Sequence, residues 1–97
     1  MFTSKQRGNL RSLAQNIDPI GQIGKGGLSE NMIKSFADAL YARELIKITV
    51  LKNSEEEAKY VCDELAEKLG AEVVCTIGRK VVLYKRSDKK GIVHIEF

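Results

Sequence analysis

Segments with helical periodicity alternate with short strand-like segments along all 97 residues of the chain. In the helical segments apolar residues recur every three to four positions, whereas the strand-like segments are short and rich in β-branched residues. The helical patterns cover residues 3–17, 28–43 and 54–70, and the strand patterns cover residues 20–23, 45–51, 71–77 and 81–86. Because a chain of this length holds one core, this order predicts a single α+β (mixed α/β) domain, residues 1–97, with the topology α-β-α-β-α-β-β.

The order of the strands predicts a four-stranded mixed sheet. Each strand–helix–strand unit favours parallel neighbours with a right-handed crossover, and residues 78–80 form a three-residue connection for a final antiparallel hairpin. In the second strand Lys47 and Thr49 alternate with apolar residues, so these two polar side chains share one face of the strand. A two-layer sandwich with a partly exposed sheet face would explain this pattern. Residues 92–97 fit either a further strand or a tail.

Capping signals mark the ends of the helices. Capping boxes are predicted at residues 3–6 and 54–57, and Ser29 is typical of a helix N-cap. The Asp18-Pro19 pair ends the first helix, because the residue before proline is pushed out of the helical region. Gly70 supplies the left-handed residue that ends the third helix.

Composition excludes several classes of protein. With 43% hydrophobic and 30% charged residues the chain is globular, and its apolar runs are too short to span a bilayer. The first residues lack a secretory signal, so we expect a soluble, cytoplasmic protein. Cys62 and Cys75 are too few for a zinc site and are expected to be buried thiols, and His94 alone supports no catalytic triad.

Charge is distributed unevenly along the sequence. Residues 54–70 contain six acidic side chains and two lysines, so the remaining residues carry a net charge of +7. This asymmetry predicts a basic surface opposed by the acidic face of the third helix.

Three glycines in four positions follow the first strand, at Gly24, Gly26 and Gly27, with Lys25 among them. Such a loop lets an external backbone approach closely, and its N–H groups, together with the start of the next helix, favour a phosphate. One interpretation is a tight turn that needs glycine only for its dihedral angles. Nucleotide-binding loops do not fit, because Ser29 stands where a dinucleotide loop requires glycine or alanine. The alternative is a G-x-x-G clamp on a nucleic-acid backbone, as in KH domains.

Basic residues cluster in two other places. Arg7 and Arg11 lie one turn apart on the first helix, a repulsive pairing unless an anion lies across it. Arg79 and Lys80, with Lys85 and Arg86, crowd the final hairpin. Tyr84 is the one candidate for stacking on a base, so recognition should depend on backbone and shape.

At these residues the sequence resembles the CRM domain, the RNA-binding module of bacterial YhbY-like proteins and plant organelle splicing factors. The matching residues are Lys5-Gln6-Arg7, Leu10-Arg11, Leu13-Ala14, Pro19, Gln22 through Asn31, Ala39-Leu40, Glu44 through Ile48, Ile77-Gly78-Arg79 and Val82 through Arg86.

The resemblance implies a fold similar to the C-terminal domain of translation initiation factor 3 and binding of structured RNA. It places Gly24, Lys25, Gly26 and Gly27 in the RNA-binding loop. The neighbouring bases that it implies are Lys5, Arg7 and Arg11. To these site residues we add Arg79, Lys80 and Arg86 on the basis of charge.

The function expected from sequence and resemblance is non-catalytic binding of ribosomal RNA during assembly of the large ribosomal subunit in a bacterium. We expect a monomer that needs no cofactor, metal or small-molecule substrate and that contacts no membrane. Two alternatives remain open. One is a nucleotide-binding enzyme at the glycine loop, and the other is a protein-interaction module using Glu55, Glu56 and Glu64 of the third helix.

Overall fold

The computed structural model of the chain describes residues 2–24, 27–51 and 55–97. The element order agrees with the prediction. The helices are α1 (Ser4–Ala14), α2 (Glu30–Arg43) and α3 (Glu55–Leu69), and the strands are β1 (Gly21–Ile23), β2 (Leu45–Val50), β3 (Glu72–Ile77) and β4 (Lys80–Tyr84). No helix within the described ranges is both long enough and apolar enough to cross a membrane.

The predicted N-caps of α1 and α2 form, but α1 ends at Ala14 with Gln15 as its C-cap, before Asp18-Pro19, so the predicted end of this helix is wrong. The side chain of Thr3 accepts a hydrogen bond from the backbone of Gln6, and the Gln6 side chain accepts one from the backbone of Thr3. The side chain of Ser29 caps α2 by accepting from the N–H of Met32 at 3.2 Å. Gly70 follows α3 with a φ of +65°. Ser54, the predicted cap of α3, lies outside the described residues.

The four strands form one mixed sheet in the order β1-β2-β4-β3. β1 and β2 pair in parallel, as predicted, but β2 and β3 are not neighbours because β4 lies between them and is antiparallel to both. The hairpin between β3 and β4 has two connecting residues rather than three, since Lys80 already pairs with Ile77. Gly78 has a φ of +59° at the first of the two positions, the conformation that a two-residue type II′ turn requires there.

Helices cover both faces of the sheet, so the predicted two-layer arrangement is wrong. We call the side covered by α2 and α3 the inner face; its core contains Ile46, Ile48, Val81 and Leu83. We call the other side the outer face, where α1 packs through Leu10 and Ala14. The alternation along β2 and β4 therefore separates two apolar cores rather than a core and solvent.

Lys47 belongs to the outer face but is only 8% exposed. Its ammonium group donates to the carbonyl oxygens of Ala14, at 3.1 Å, and Ile17, at 3.4 Å. The Ala14 carbonyl ends α1, where a helix carries partial negative charge, and the Ile17 carbonyl lies just beyond the helix. The lysine thus fixes the end of α1 over the middle of the sheet.

Residues 92–97 form neither a strand nor a loose tail, because they pack on the outer face through Ile95 and Phe97. Glu44, fully buried at the end of α2, holds this segment. Its carboxylate accepts hydrogen bonds from the backbone N–H of Ser87, at 2.7 Å, and of Ile95, at 3.0 Å, and pairs with Nδ1 of His94 at 2.6 Å.

Burial would raise the pKa of Glu44. The hydrogen bonds from the Ser87 backbone, the His94 side chain and the Ile95 backbone outweigh that effect, and its pKa lies below the ordinary value. Glu44 has a φ of +67°, a left-handed conformation that costs a residue other than glycine about 1–2 kcal/mol. The hydrogen bonds to its carboxylate offset that strain.

Candidate nucleic-acid interface

The glycine loop begins with a hydrogen-bonded turn at the end of β1. The N–H of Gly27 donates to the carbonyl oxygen of Gly24 at 3.0 Å, so a hydrogen bond joins the first and last of these residues. Lys25 and Gly26 lie outside the described residues. We call this segment, residues 24–27, the glycine turn.

The two described glycines of this turn are there for different reasons. Gly27 has a φ of +70°, which disfavours any residue with a Cβ. Gly24 has no such φ, and a Cβ there would meet only Cδ1 of Leu51 at 3.8 Å, an ordinary contact. The interpretation as a turn that needs glycine for its dihedrals therefore explains Gly27 but not Gly24. Close approach by an external molecule is a reason for glycine that applies at Gly24.

Two N–H groups at and after the glycine turn already have partners within the chain. The N–H of Gly27 is used within the turn, and the N–H of Met32 is capped by Ser29, so neither points outward to an anion. Glu30 places a carboxylate in the first turn of α2, where it competes with a phosphate for the positive end of the helix. The cations around the turn, rather than this helix start, are the stronger candidates for phosphate contacts.

The β3–β4 hairpin lies beside the glycine turn. The N–H of Val50, at the end of β2, donates to the carbonyl oxygen of Arg79 at 2.7 Å, and the N–H of Leu51 donates to Ile23 at 2.8 Å. The guanidinium of Arg79 reaches the carbonyl oxygen of Leu51 at 3.5 Å. The structure thus brings Arg79 to the turn, and Lys80 follows it as an exposed residue at the start of β4.

Arg7 on α1 has a structural contact that the sequence does not reveal. Its guanidinium donates to the carbonyl oxygens of Val73, at 2.7 Å, and Val74, at 3.1 Å, and it lies 5.9 Å from the ring centroid of Phe2. Both carbonyls belong to edge strand β3, where the register shifts between Val73 and Cys75. Arg7 therefore ties α1 to a bulge in the edge strand.

Arg11 and Lys5 are exposed on the same helix. Arg7 and Arg11 line a shallow pocket with Ser4, Gly8, Val74 and Cys75. From the strand register, the Val73 carbonyl lies about 20 Å from the end of β1, three strands across and four residues along the sheet. The α1 cations and the glycine turn are thus two separate patches rather than one ring around a single hollow.

The structure does not bring Arg86 to the glycine turn. It follows the end of β4, where Tyr84 pairs with Leu45, whereas the glycine turn follows the other end of β2. Its neighbour Lys85 donates to the carbonyl oxygen of Leu69 at 3.1 Å, at the end of α3. Arg86 therefore lies at the opposite end of β4 from Arg79.

Tyr84 is not available for stacking on a base. It is 6% exposed, and its ring makes edge contacts with Phe2 and Phe97 at centroid distances of 5.5 and 4.9 Å. Cys62 is fully buried, as expected, and burial raises its pKa to about 12. Cys75 is partly buried, and burial raises its pKa as well, so neither thiol is activated.

Sequence reasoning assigned no role to Glu44, and it placed Lys47 on a partly exposed sheet face. A lysine in an otherwise apolar strand was a usable signal for a buried, hydrogen-bonded ammonium group. Glu44 had no local signal, since the segment that it holds is more than 40 residues away in sequence.

Fold and surface together define a class: a small α+β domain with a glycine turn and exposed cations at one end of a mixed sheet. Comparison with known proteins identifies the family. The model of the CRS1 / YhbY (CRM) domain matches residues 2–85, and the chain belongs to this family.

Similar proteins cover nearly the whole chain. "Probable RNA-binding protein YqeI" of Bacillus subtilis (strain 168) is 51% identical over 95 residues, which span 98% of this chain and 99% of the relative. "RNA-binding protein" of Haemophilus influenzae is 31% identical over 91 residues, spanning 94% and 92% of the two chains. The solution structure of the hypothetical protein SAV1595 from Staphylococcus aureus has a TM-score of 0.82 and 47% identity, and covers 99% of this chain and 100% of its own.

Proposed function

We propose that this chain binds structured ribosomal RNA through the glycine turn and nearby cations, and that it assists assembly of the large ribosomal subunit. It acts as a single domain, residues 1–97, and as a monomer in the bacterial cytoplasm, without catalysis, cofactor or metal. The family and the names of the relatives support RNA binding. Ribosomal RNA and subunit assembly are what the resemblance to YhbY-like proteins implies.

The proposal rests on the presence of glycine at position 24, where a side chain would fit. The backbone conformation and the neighbours of Gly24 accept a side chain, yet the position leaves the backbone bare beside Arg79. A bare backbone lets a sugar–phosphate strand approach within contact distance, and Lys25 and Gly26 of the same turn belong to the proposed contact. Arg79 and Lys80 supply positive charge at this edge, while Lys5 and Arg11 supply it on α1.

The distribution of charge supports an approach of RNA from the outer face. The exposed acidic residues Asp63, Glu64 and Glu67 belong to α3, which covers the inner face. Lys5 and Arg11 belong to α1, which covers the outer face. An RNA strand is repelled by carboxylates and attracted by cations. Because the sheet lies between the acidic side chains of α3 and the cations of α1, the charges favour binding of RNA on the outer face.

The test compares wild type with Gly24→Ala for binding to large-subunit ribosomal RNA in the presence of competitor transfer RNA. Because the added Cβ meets only Leu51, the free energy of unfolding should stay within about 0.5 kcal/mol of wild type. We expect the Kd to rise about fivefold, which corresponds to about 1 kcal/mol of lost contact.

Two glycines with similar strain provide a matched control. Gly27 and Gly91 both have positive φ, +70° and +83°, and both have open space where a Cβ would lie. Gly27→Ala and Gly91→Ala should therefore destabilise the fold by similar amounts, about 1 kcal/mol, but only Gly27→Ala should weaken RNA binding. Unchanged RNA affinity in both Gly24→Ala and Gly27→Ala would refute the proposed site.

A further inference from the structure

Part of the outer sheet face is left uncovered by α1. Four side chains there form one row across all four strands, because Gln22 pairs with Thr49, Thr49 with Lys80, and Lys80 with Ile77. Gln22 and Lys80 are exposed, whereas Thr49 and Ile77 are partly buried. We call this row, Gln22, Thr49, Lys80 and Ile77, the open strip. At about 4.8 Å between neighbouring strands it is about 14 Å long.

The alternation of side chains places the open strip on the outer face. The neighbours Ile23, Val50 and Val81 point into the inner core, so Gln22, Thr49 and Lys80 point the other way. Lys47 is the preceding residue of β2 on this face, about 7 Å from Thr49, and it is covered by the end of α1. The helix therefore stops one row short of the open strip.

The open strip lies between the two basic patches. At its β1 end the chain continues from Gln22 through Ile23 into the glycine turn, and at Lys80 it adjoins Arg79. On the side toward α1, Cys75 is the residue of β3 that precedes Ile77 on this face, and it lines the same pocket as Arg7 and Arg11. A strand of RNA that contacts both patches thus crosses the strip.

The side chains of the open strip suit a ribose better than a phosphate. Gln22 carries an amide and Thr49 a hydroxyl, each both donor and acceptor, and neither side chain has a hydrogen-bond partner among the residues that the structure describes. Lys80 provides the charge that attracts the backbone. The ribose 2′-hydroxyl is likewise both donor and acceptor, and it is the group that distinguishes RNA from DNA.

We propose that the open strip hydrogen-bonds 2′-hydroxyl groups of the bound RNA through Gln22 and Thr49, and so selects RNA over DNA of the same sequence. This inference rests on the proposed function. It adds the chemical basis on which the open strip, which contains no aromatic side chain, discriminates between the two nucleic acids.

The experiment measures Kd for an RNA stem–loop from large-subunit ribosomal RNA and for the DNA stem–loop of the same sequence. Thr49→Val keeps the shape and strand propensity of the side chain but removes the hydroxyl. We expect Thr49→Val to weaken RNA binding about fivefold and DNA binding less than twofold, since one lost hydrogen bond changes affinity by about that factor. Gln22→Leu should lower the RNA-to-DNA preference in the same way.

Thr76→Val is the matched control. Thr76 is exposed on β3, but it pairs with Val81 and so lies on the inner face. Its RNA-to-DNA preference should equal that of wild type. Lys80→Ala should lower both affinities and reduce the slope of log K against log salt by about 0.7–0.9.

The outcomes separate this inference from the proposed function. Suppose that wild type binds the RNA and that Gly24→Ala lowers the RNA affinity. If Thr49→Val and Gln22→Leu then keep the wild-type RNA-to-DNA preference, the inference is wrong and the proposed function stands. Equal loss of RNA and DNA affinity in these two variants would also overturn the inference, because the contact would then be to a group that RNA and DNA share, such as a phosphate. Absence of RNA binding by wild type would overturn both.

Discussion

Replacement of Glu44 by glutamine should destabilise the fold strongly at neutral pH. The Glu44 carboxylate is fully buried, accepts two backbone hydrogen bonds, from Ser87 and Ile95, and contacts His94. Glutamine has one acceptor oxygen, so one backbone N–H loses its partner and the other hydrogen bonds lose their charge. An orphaned buried donor costs about 1–3 kcal/mol, and the weaker remaining bonds add to this.

We therefore expect Glu44→Gln to lower the free energy of unfolding by about 2–4 kcal/mol. For a domain of this size that corresponds to a fall in Tm of at least about 8 °C. The assay is urea denaturation followed by far-UV circular dichroism, with a thermal melt alongside it. Glu64→Gln on the exposed side of α3 is the matched control and should change stability by less than about 0.5 kcal/mol.

The pH dependence tests the same reasoning independently. Since the pKa of Glu44 in the folded state lies below its ordinary value of 4.5, its ionised form stabilises the fold fully above pH 4.5. That contribution is lost as pH falls through the folded pKa. The difference between wild type and Glu44→Gln should accordingly be largest near pH 7 and shrink below pH 4.5. A variant as stable as wild type at pH 7, or a difference that grows in acid, would refute the argument.

Three further substitutions separate structural cations from those proposed to bind RNA. Arg7→Ala should cost about 1.5–3 kcal/mol of stability in urea denaturation, because it removes hydrogen bonds from a charged donor to β3. Arg11→Ala should leave stability unchanged and reduce the slope of log K for RNA against log salt by about 0.7–0.9. Equal stability of Arg7→Ala and Arg11→Ala would contradict the structural role of Arg7. Lys47→Met should lower Tm through loss of about 1–3 kcal/mol, and a more stable variant would show that its hydrogen bonds to the end of α1 do not repay its burial.

Local features of the fold could be predicted from sequence because their causes are local. The capping box of α1 depends on residues three positions apart, and the apolar spacing of α3 from Ala58 to Leu69 depends on the helical period. Gly70 ends α3 through its own backbone conformation. Each of these signals lies within a few residues of the feature that it determines.

Features that depend on pairing distant segments could not be predicted in the same way. Insertion of β4 between β2 and β3 follows from which strand edges meet, and strand periodicity alone carries no such information. Lys47 looked like a residue of an exposed face because the sequence does not show that α1 returns over that face. Tyr84 was a candidate for stacking until the structure placed it between Phe2 and Phe97.

The candidate site was predicted in part for the same reason. Gly24, Gly27 and Arg79 are brought together because β1 and β2 end, and the β3–β4 hairpin turns, at the same end of the sheet. The opposite positions of Arg79 and Arg86 required knowledge of the length and direction of β4. The different reasons for Gly24 and Gly27 required the backbone dihedrals.

The most direct test is to record amide chemical shifts by NMR while the protein is titrated with large-subunit ribosomal RNA. Binding at the proposed interface should shift the amides of Gln22, Gly24, Gly27 and Thr49 together. The amides around Glu64 and Arg86 should remain in place. Shifts concentrated on α3, or no shifts at the glycine turn at saturating RNA, would contradict the proposed interface.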